Sequence, residues 1–155
     1  MRVGNRGLGQ NLIMAETMSK AEWQEFISSG TRTGKAGVVK ADGAPHVTPI
    51  WFLLDGDDLV FTTHGTGVKG RALGRDPRIC LCVDEETPPY SFVSLWGEAS
   101  LSEDPAELRK WATALGARYM GADRAQEYGA RNSAPGELLV RVRITKVVAL
   151  RDIAD

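Results

Sequence analysis

The sequence predicts a mainly β (α+β) fold: six antiparallel strands closed into a small barrel, with three or four helices at its periphery. Three observations carry this. Apolar stretches follow one another through short turns, Asp42-Gly43 and then Asp55-Gly56-Asp57-Asp58, and such turns join antiparallel neighbours. Two later stretches, 91–101 and 137–150, alternate with the period of two that a strand with one buried face requires. The helix signals fall outside these stretches, and the clearest open on their own caps.

Residues 1–17 contain Arg2 and Arg6 but no apolar run, so they read as a flexible arm without a secretion signal, with Met14 or Met18 as alternative starts. Residues 18–155 then form one domain. Ser19-Lys20-Ala21-Glu22 is a capping box, Trp23, Phe26 and Ile27 share the helical face behind it, and Gly30 is its stop. Residues 36–41 and 44–54 make a hairpin about Asp42-Gly43, and 59–63 is the next strand. A basic helix follows and Asp76-Pro77 ends it. The run 79–83 reads as a strand buried on both faces. Its Cys80 and Cys82 would share one face, too close along the chain for the usual disulfide and too few for zinc, so they are expected to be core thiols. In 91–101, Val93, Leu95, Gly97 and Ala99 share a face. Asp104-Pro105-Ala106-Glu107 opens the longest helix, striped by Leu108, Trp111, Ala112, Leu115 and Tyr119 and ended at Gly121. A shorter helix over 123–131 precedes the last strand, where Leu138, Val140, Val142 and Ile144 alternate.

Nineteen Lys and Arg stand against twenty Asp and Glu, and that balance argues against a dedicated nucleic-acid binder. No apolar run reaches membrane-spanning length, and the two cysteines provide no disulfide framework. The expectation is a cytoplasmic protein with no metal, nucleic-acid or membrane partner.

Chemistry concentrates in two stretches. Leu59-Val60-Phe61-Thr62-Thr63-His64-Gly65-Thr66-Gly67-Val68-Lys69-Gly70-Arg71 is a strand ending in hydroxyls, a glycine loop and a basic helix start, which is how a phosphate is held. Between His64 and Arg78 the bases Lys69, Arg71, Arg75 and Arg78 oppose Asp76 alone. The stretch reads equally well as an ordinary loop before a solvated helix face. Its Gly65-x-Gly67-x-x-Gly70 spacing imitates a dinucleotide fingerprint, but antiparallel surroundings exclude the βαβ unit that motif needs. In the second stretch, His46-Val47-Thr48-Pro49-Ile50-Trp51-Phe52, a proline inside a strand belongs at an edge or a bulge. There it can free backbone groups and an aromatic for a flat ligand, or simply turn a barrel corner around a core tryptophan. No nucleophile–base pair is visible and no catalytic side chain is assigned.

Together these pieces resemble one family. Residues 45–52 (Pro-His-Val-Thr-Pro-Ile-Trp-Phe), 59–63 (Leu-Val-Phe-Thr-Thr), 69–73 (Lys-Gly-Arg-Ala-Leu), 76–81 (Asp-Pro-Arg-Ile-Cys-Leu) and 96–101 (Trp-Gly-Glu-Ala-Ser-Leu) look like the pyridoxamine 5'-phosphate oxidase-like FMN-binding split β-barrels. They are most similar to the actinobacterial branch that uses the deazaflavin coenzyme F420. The resemblance implies a reductase passing hydride from reduced F420 to a conjugated small molecule. Thr62, Thr63, Lys69, Gly70 and Arg71 would hold the cofactor phosphate and tail, and Val47, Thr48, Pro49, Ile50 and Trp51 would line the ring. It also implies a homodimer with the cofactor at the interface, where Tyr90 or Trp96 could come from the partner. The C-terminal substrate extension of the pyridoxamine-phosphate oxidases themselves has no counterpart here, so their own activity is not expected. Arg71, Arg75 and Arg78 exceed what one phosphate needs and lean toward F420, with its phosphodiester and glutamyl carboxylates. The rivals are an FMN-dependent oxidase or reductase, a non-catalytic flavin, deazaflavin or tetrapyrrole carrier, and a dimeric scaffold without ligand.

Overall fold

The structure, a computed structural model, describes residues 15–154. Its four α-helices are α1 (Lys20–Ser28), α2 (Val68–Arg75), α3 (Pro105–Met120) and α4 (Ala125–Arg131). The capping box at α1 is closed both ways: Glu22 N–H donates to Ser19 Oγ at 3.2 Å and Ser19 N–H donates to Glu22 Oε2 at 2.6 Å. Asp104 Oδ1 accepts from Ala106 and Glu107 N–H at the start of α3, and Gly121, at φ +99°, ends it in a conformation that suits glycine.

The strands are β1 (Glu16–Thr17), β2 (Gly34–Val39), β3 (Pro45–Ile50), β4 (Leu53–Asp55), β5 (Asp58–His64), β6 (Arg78–Glu85), β7 (Ser91–Ser102) and β8 (Glu137–Arg151). All pairings are antiparallel, in the order β3-β2-β6-β7-β8-β5-β4, with β1 on β8. Of the expected arm, Glu16 and Thr17 are thus sheet residues paired with Arg151 and Leu150, and 1–14 lie outside the described residues.

The single strand expected over 44–54 is two, because Trp51 and Phe52 leave the ladder. This break explains the architecture. β3 and β4 lie at opposite ends of the strand order, yet two residues join them, a reach of roughly 11 Å. The sheet must therefore roll until its ends meet. Counted as one bent strand, β3 and β4 complete the six strands that the sequence predicts for the barrel, and the two-residue β1 is additional.

The inner face is apolar throughout. Phe52, Leu59, Phe61, Leu81, Val83, Val93, Leu95, Val140 and Val142 are fully buried, and Trp23 and Ile27 of α1 join this core. Outside, α3 covers β5 and β8, packing Leu108 and Trp111 on Val60 and Leu139. The expectation of buried thiols fails. β6 alternates, with Ile79, Leu81 and Val83 inward, so Cys80 is exposed and Cys82 half-buried on its outer face. An apolar run of five residues hides that alternation, because the outward residues are apolar too.

β7 and β8 slip register at Trp96 and Gly97, and there the strands approach too closely for a side chain. A Cβ at Gly97 would lie 2.5 Å from Arg143 O and 2.6 Å from Val142 Cγ1. Gly97→Ala should therefore destabilise the protein by about 1–3 kcal/mol, read as a lower urea midpoint with an unchanged slope.

Candidate functional site

Where β3 runs into the corner and β5 runs into α2, the structure opens a cleft of about 400 Å³. Pro49, Ile50 and Trp51 from the corner, Thr62, Thr63 and Lys69 from β5 and α2, and Leu115, Tyr128, Arg131 and Asn132 from α3 and the α4 region line it. Glu137, the first residue of β8, closes it.

The loop end of the cleft is built by backbone chemistry. The loop after β5 is stitched down by Gly65 N–H to Gly136 O at 2.8 Å and Gly67 N–H to His64 O at 3.1 Å. His64 Nδ1 accepts from Thr66 N–H at 3.2 Å and also contacts the Thr66 hydroxyl. α2 then begins at Gly67 without a side-chain cap, so the N–H groups of Val68, Lys69 and Gly70 have no acceptor among the described residues. Gly70 does not line the cleft. It lets α2 press on the loop, since a Cβ there would collide with His64 O and with Gly65.

Lys69 is half-buried and donates to Thr48 Oγ1 at 2.8 Å. No carboxylate among the described residues is within ion-pair distance of it, and burial lowers its pKa from the ordinary lysine value. A desolvated ammonium beside uncapped helix N–H groups is a site that an anion completes.

The flat wall is Trp51. Its ring stacks on Tyr119 (centroids 5.2 Å, planes 4° apart) and meets Tyr128 at 5.6 Å, tilted by 58°. Tyr119 is fixed in turn: its hydroxyl accepts from Phe52 N–H at 3.2 Å and donates to Arg32 O at 2.8 Å. Arg118 spans the same corner, donating to Phe52 O at 2.6 Å, Ile27 O at 2.7 Å and Gly30 O at 3.0 Å.

Six of the ten expected site residues, Pro49, Ile50, Trp51, Thr62, Thr63 and Lys69, therefore line one cleft, and Thr48 holds the lysine. Val47 does not join them: it is 62% exposed on the outer face of the barrel. Arg71 and Arg75 are exposed on α2 with no side-chain partner among the described residues. Arg78 is not surplus cation, because Asp76 takes it at 2.6 Å and is held down to about 2 by that bond. Tyr90 and Trp96 are exposed and outside the cleft. Sequence reasoning missed Tyr128, Arg131, Asn132 and Glu137, and took Leu115 and Tyr119 only as helix stripe. The weak helical signal over 123–131 was the one available hint.

The family model described as pyridoxamine 5'-phosphate oxidase matches residues 19–151. The chain belongs to that family. A conserved hypothetical protein from Mycobacterium tuberculosis is similar in structure, with TM-score 0.77, 26% identity and 89% of each chain covered. So is a protein described as an F420 reductase, with TM-score 0.63, 25% identity, and 79% of this chain and 94% of that one covered. A FAD-binding protein from Mesorhizobium loti shares the fold at TM-score 0.66 and 18% identity, over 89% of this chain and 98% of that one. No curated protein matches the chain. Among the described residues no helix is long and apolar enough to cross a membrane, and no cluster of three or more His, Cys, Asp or Glu could hold a metal ion.

Tyr119→Phe keeps the stacking surface but strands the buried Phe52 N–H. It should cost about 1–3 kcal/mol and change the near-UV dichroism of the tryptophans, both read in one denaturation series. The Asp76 carboxyl should titrate at about 2, below its ordinary 3.8. The stabilisation from its bond to Arg78 is then fully present above 3.8 and lost as pH falls through 2. Carboxyl NMR titration of wild type and Arg78→Ala checks this, and the variant should return the midpoint toward 3.8.

Proposed function

We propose that the cleft holds the deazaflavin coenzyme F420 and that the protein is a reductase working with it. One observation carries the reading: a half-buried Lys69 with no acid partner among the described residues, beside an uncapped helix start and lining the same cleft as the stacked Trp51. An anion at one end and a flat ring at the other are what that arrangement accommodates. Thr62, Thr63 and the α2 N–H groups hydrogen-bond the phosphate, and Lys69 neutralises it. Trp51 and Ile50 fix the ring, and the α3–α4 wall keeps water from it. When bound, reduced F420 supplies a hydride for the electrophilic carbon of a conjugated, flat small molecule. The chain's own contribution is binding, orientation and shielding. Arg71 and Arg75, exposed beside the phosphate end, favour the long acidic tail of F420 over FMN, and the likeness to a protein described as an F420 reductase agrees.

FMN is the second reading, favoured by one fact: Thr62, Thr63 and Lys69 suffice for a single phosphate. Parallel titrations with F420 and FMN, followed by tryptophan fluorescence, separate the two. The expected result is micromolar or tighter F420 binding with weaker FMN binding. Lys69→Ala with Arg71→Ala should weaken F420 binding roughly a hundredfold, from two lost charge-assisted contacts; unchanged affinity would overturn the site. A carrier without turnover would bind the coenzyme yet show no substrate-dependent oxidation of its reduced form.

We also propose a homodimer formed through the uncovered outer face of β2, β3, β6 and β7. There Val47, Cys80 and Trp96 (39% exposed) surround an apolar hollow over Gly37. Trp96→Glu should shift sedimentation from dimer to monomer without loss of fold.

A further inference from the structure

Glu137 is an odd residue to find in an anion-binding cleft. It lines the same space as Thr62, Thr63 and Lys69. The β5–β8 register sets it directly opposite His64, and Gly136, its neighbour in the chain, accepts the hydrogen bond that pins the phosphate loop. It therefore abuts the loop itself. Its carboxyl is half-buried, yet it has no hydrogen-bond donor or ion-pair partner among the described residues. Burial pushes its pKa up, while the nearby His64 pulls the other way. Lys69 is equally without an ionic partner, so the two opposite charges line one cleft without cancelling each other.

We propose that Glu137 sets the charge of the phosphate the cleft accepts, favouring a monoanionic phosphodiester over a dianionic phosphate monoester. The inference rests on the cofactor reading above and deepens it. Lys69 and Arg131 against Glu137 leave the cleft one net positive charge, which a diester matches. A monoester brings a second negative charge that faces the carboxylate at reduced dielectric, while Arg71 and Arg75 stay in solvent outside the cleft lining and are screened. Like charges brought together in this way are how binding sites reject a near-isostere. F420 carries a diester and FMN a monoester, so one acidic side chain would separate the two cofactors without touching the ring.

The test compares FMN with its phosphate methyl ester, which share ring and ribityl chain and differ in phosphate charge. Dissociation constants are measured by fluorescence at about pH 8, well above the second phosphate ionisation near 6. F420 is titrated in parallel. Wild type should bind the methyl ester more tightly than FMN. Glu137→Gln should reduce that preference roughly tenfold, mainly by tightening FMN, whereas Glu137→Asp, which keeps the charge, should preserve it. An unchanged ratio in Glu137→Gln overturns the proposal. So does equal weakening of both ligands, which would make Glu137 an acceptor for ligand hydroxyls. If wild type binds neither flavin form nor F420, the cofactor reading itself falls and this inference falls with it.

Discussion

Everything in this structure depends on the backbone of Phe52. The chain must turn there from one end of the sheet to the other, and in turning it leaves the ladder with a buried N–H and C=O to satisfy. Water cannot serve them, because the Phe52 side chain lies wholly in the core. Tyr119 takes the N–H and Arg118 takes the carbonyl. Arg118 remains desolvated, which lowers its pKa from the ordinary value, and three carbonyls compensate its charge. Those carbonyls lie at the corner and at the end of α1, so one side chain ties helix, corner and α3 together. Barrel closure and the position of Trp51 are thus the same event: the groups that satisfy the corner also orient the ring beside it.

The loop end of the cleft shows the opposite. There the fold leaves groups unsatisfied: an uncapped helix start, a half-buried ammonium and a carboxyl without a donor. Each is unfavourable in the free protein. They are tolerated because the loop beneath is stitched to β8 through Gly136 and because Gly70 allows α2 to press on that loop. A ligand that completes these groups binds the native state and not the unfolded chain, and so adds to stability. Rigid corner and incomplete loop line the same cleft.

The sequence shows most of the fold directly. Caps at Ser19 and Asp104, the Asp42-Gly43 turn and the period-two patterns of β7 and β8 are local signals with local causes. The glycine loop after β5 and the strand before Trp51 were legible for the same reason. What local sequence cannot show is which outer face a helix will cover. Cys80 and Leu139 both point outward from apolar strands, but α3 packs against Leu139 and leaves Cys80 exposed. Tyr128 and Glu137 enter the cleft through contacts between distant segments, and Arg118 finds partners 66 to 91 residues away. Arg78 looked like spare charge because its bond to Asp76, two residues back, depends on how the chain leaves α2.

The uneven covering of the barrel also decides what β3 can offer a ligand. Alternation sends Thr48 toward Lys69 and Val47 to the opposite face, so the five residues from Val47 to Trp51 cannot all line one subunit's cleft. Pro49 tolerates its place because β3 is an end strand, hydrogen-bonded only to β2. Covering of the outer face by a second copy, as proposed, would return Val47 to a buried setting beside Cys80 and Trp96. Each subunit would then contribute Thr48, Ile50 and, at the corner, Pro49 to its own cleft, and Val47 to the seam. A single strand would serve both assembly and ligand binding because its two faces are chemically independent.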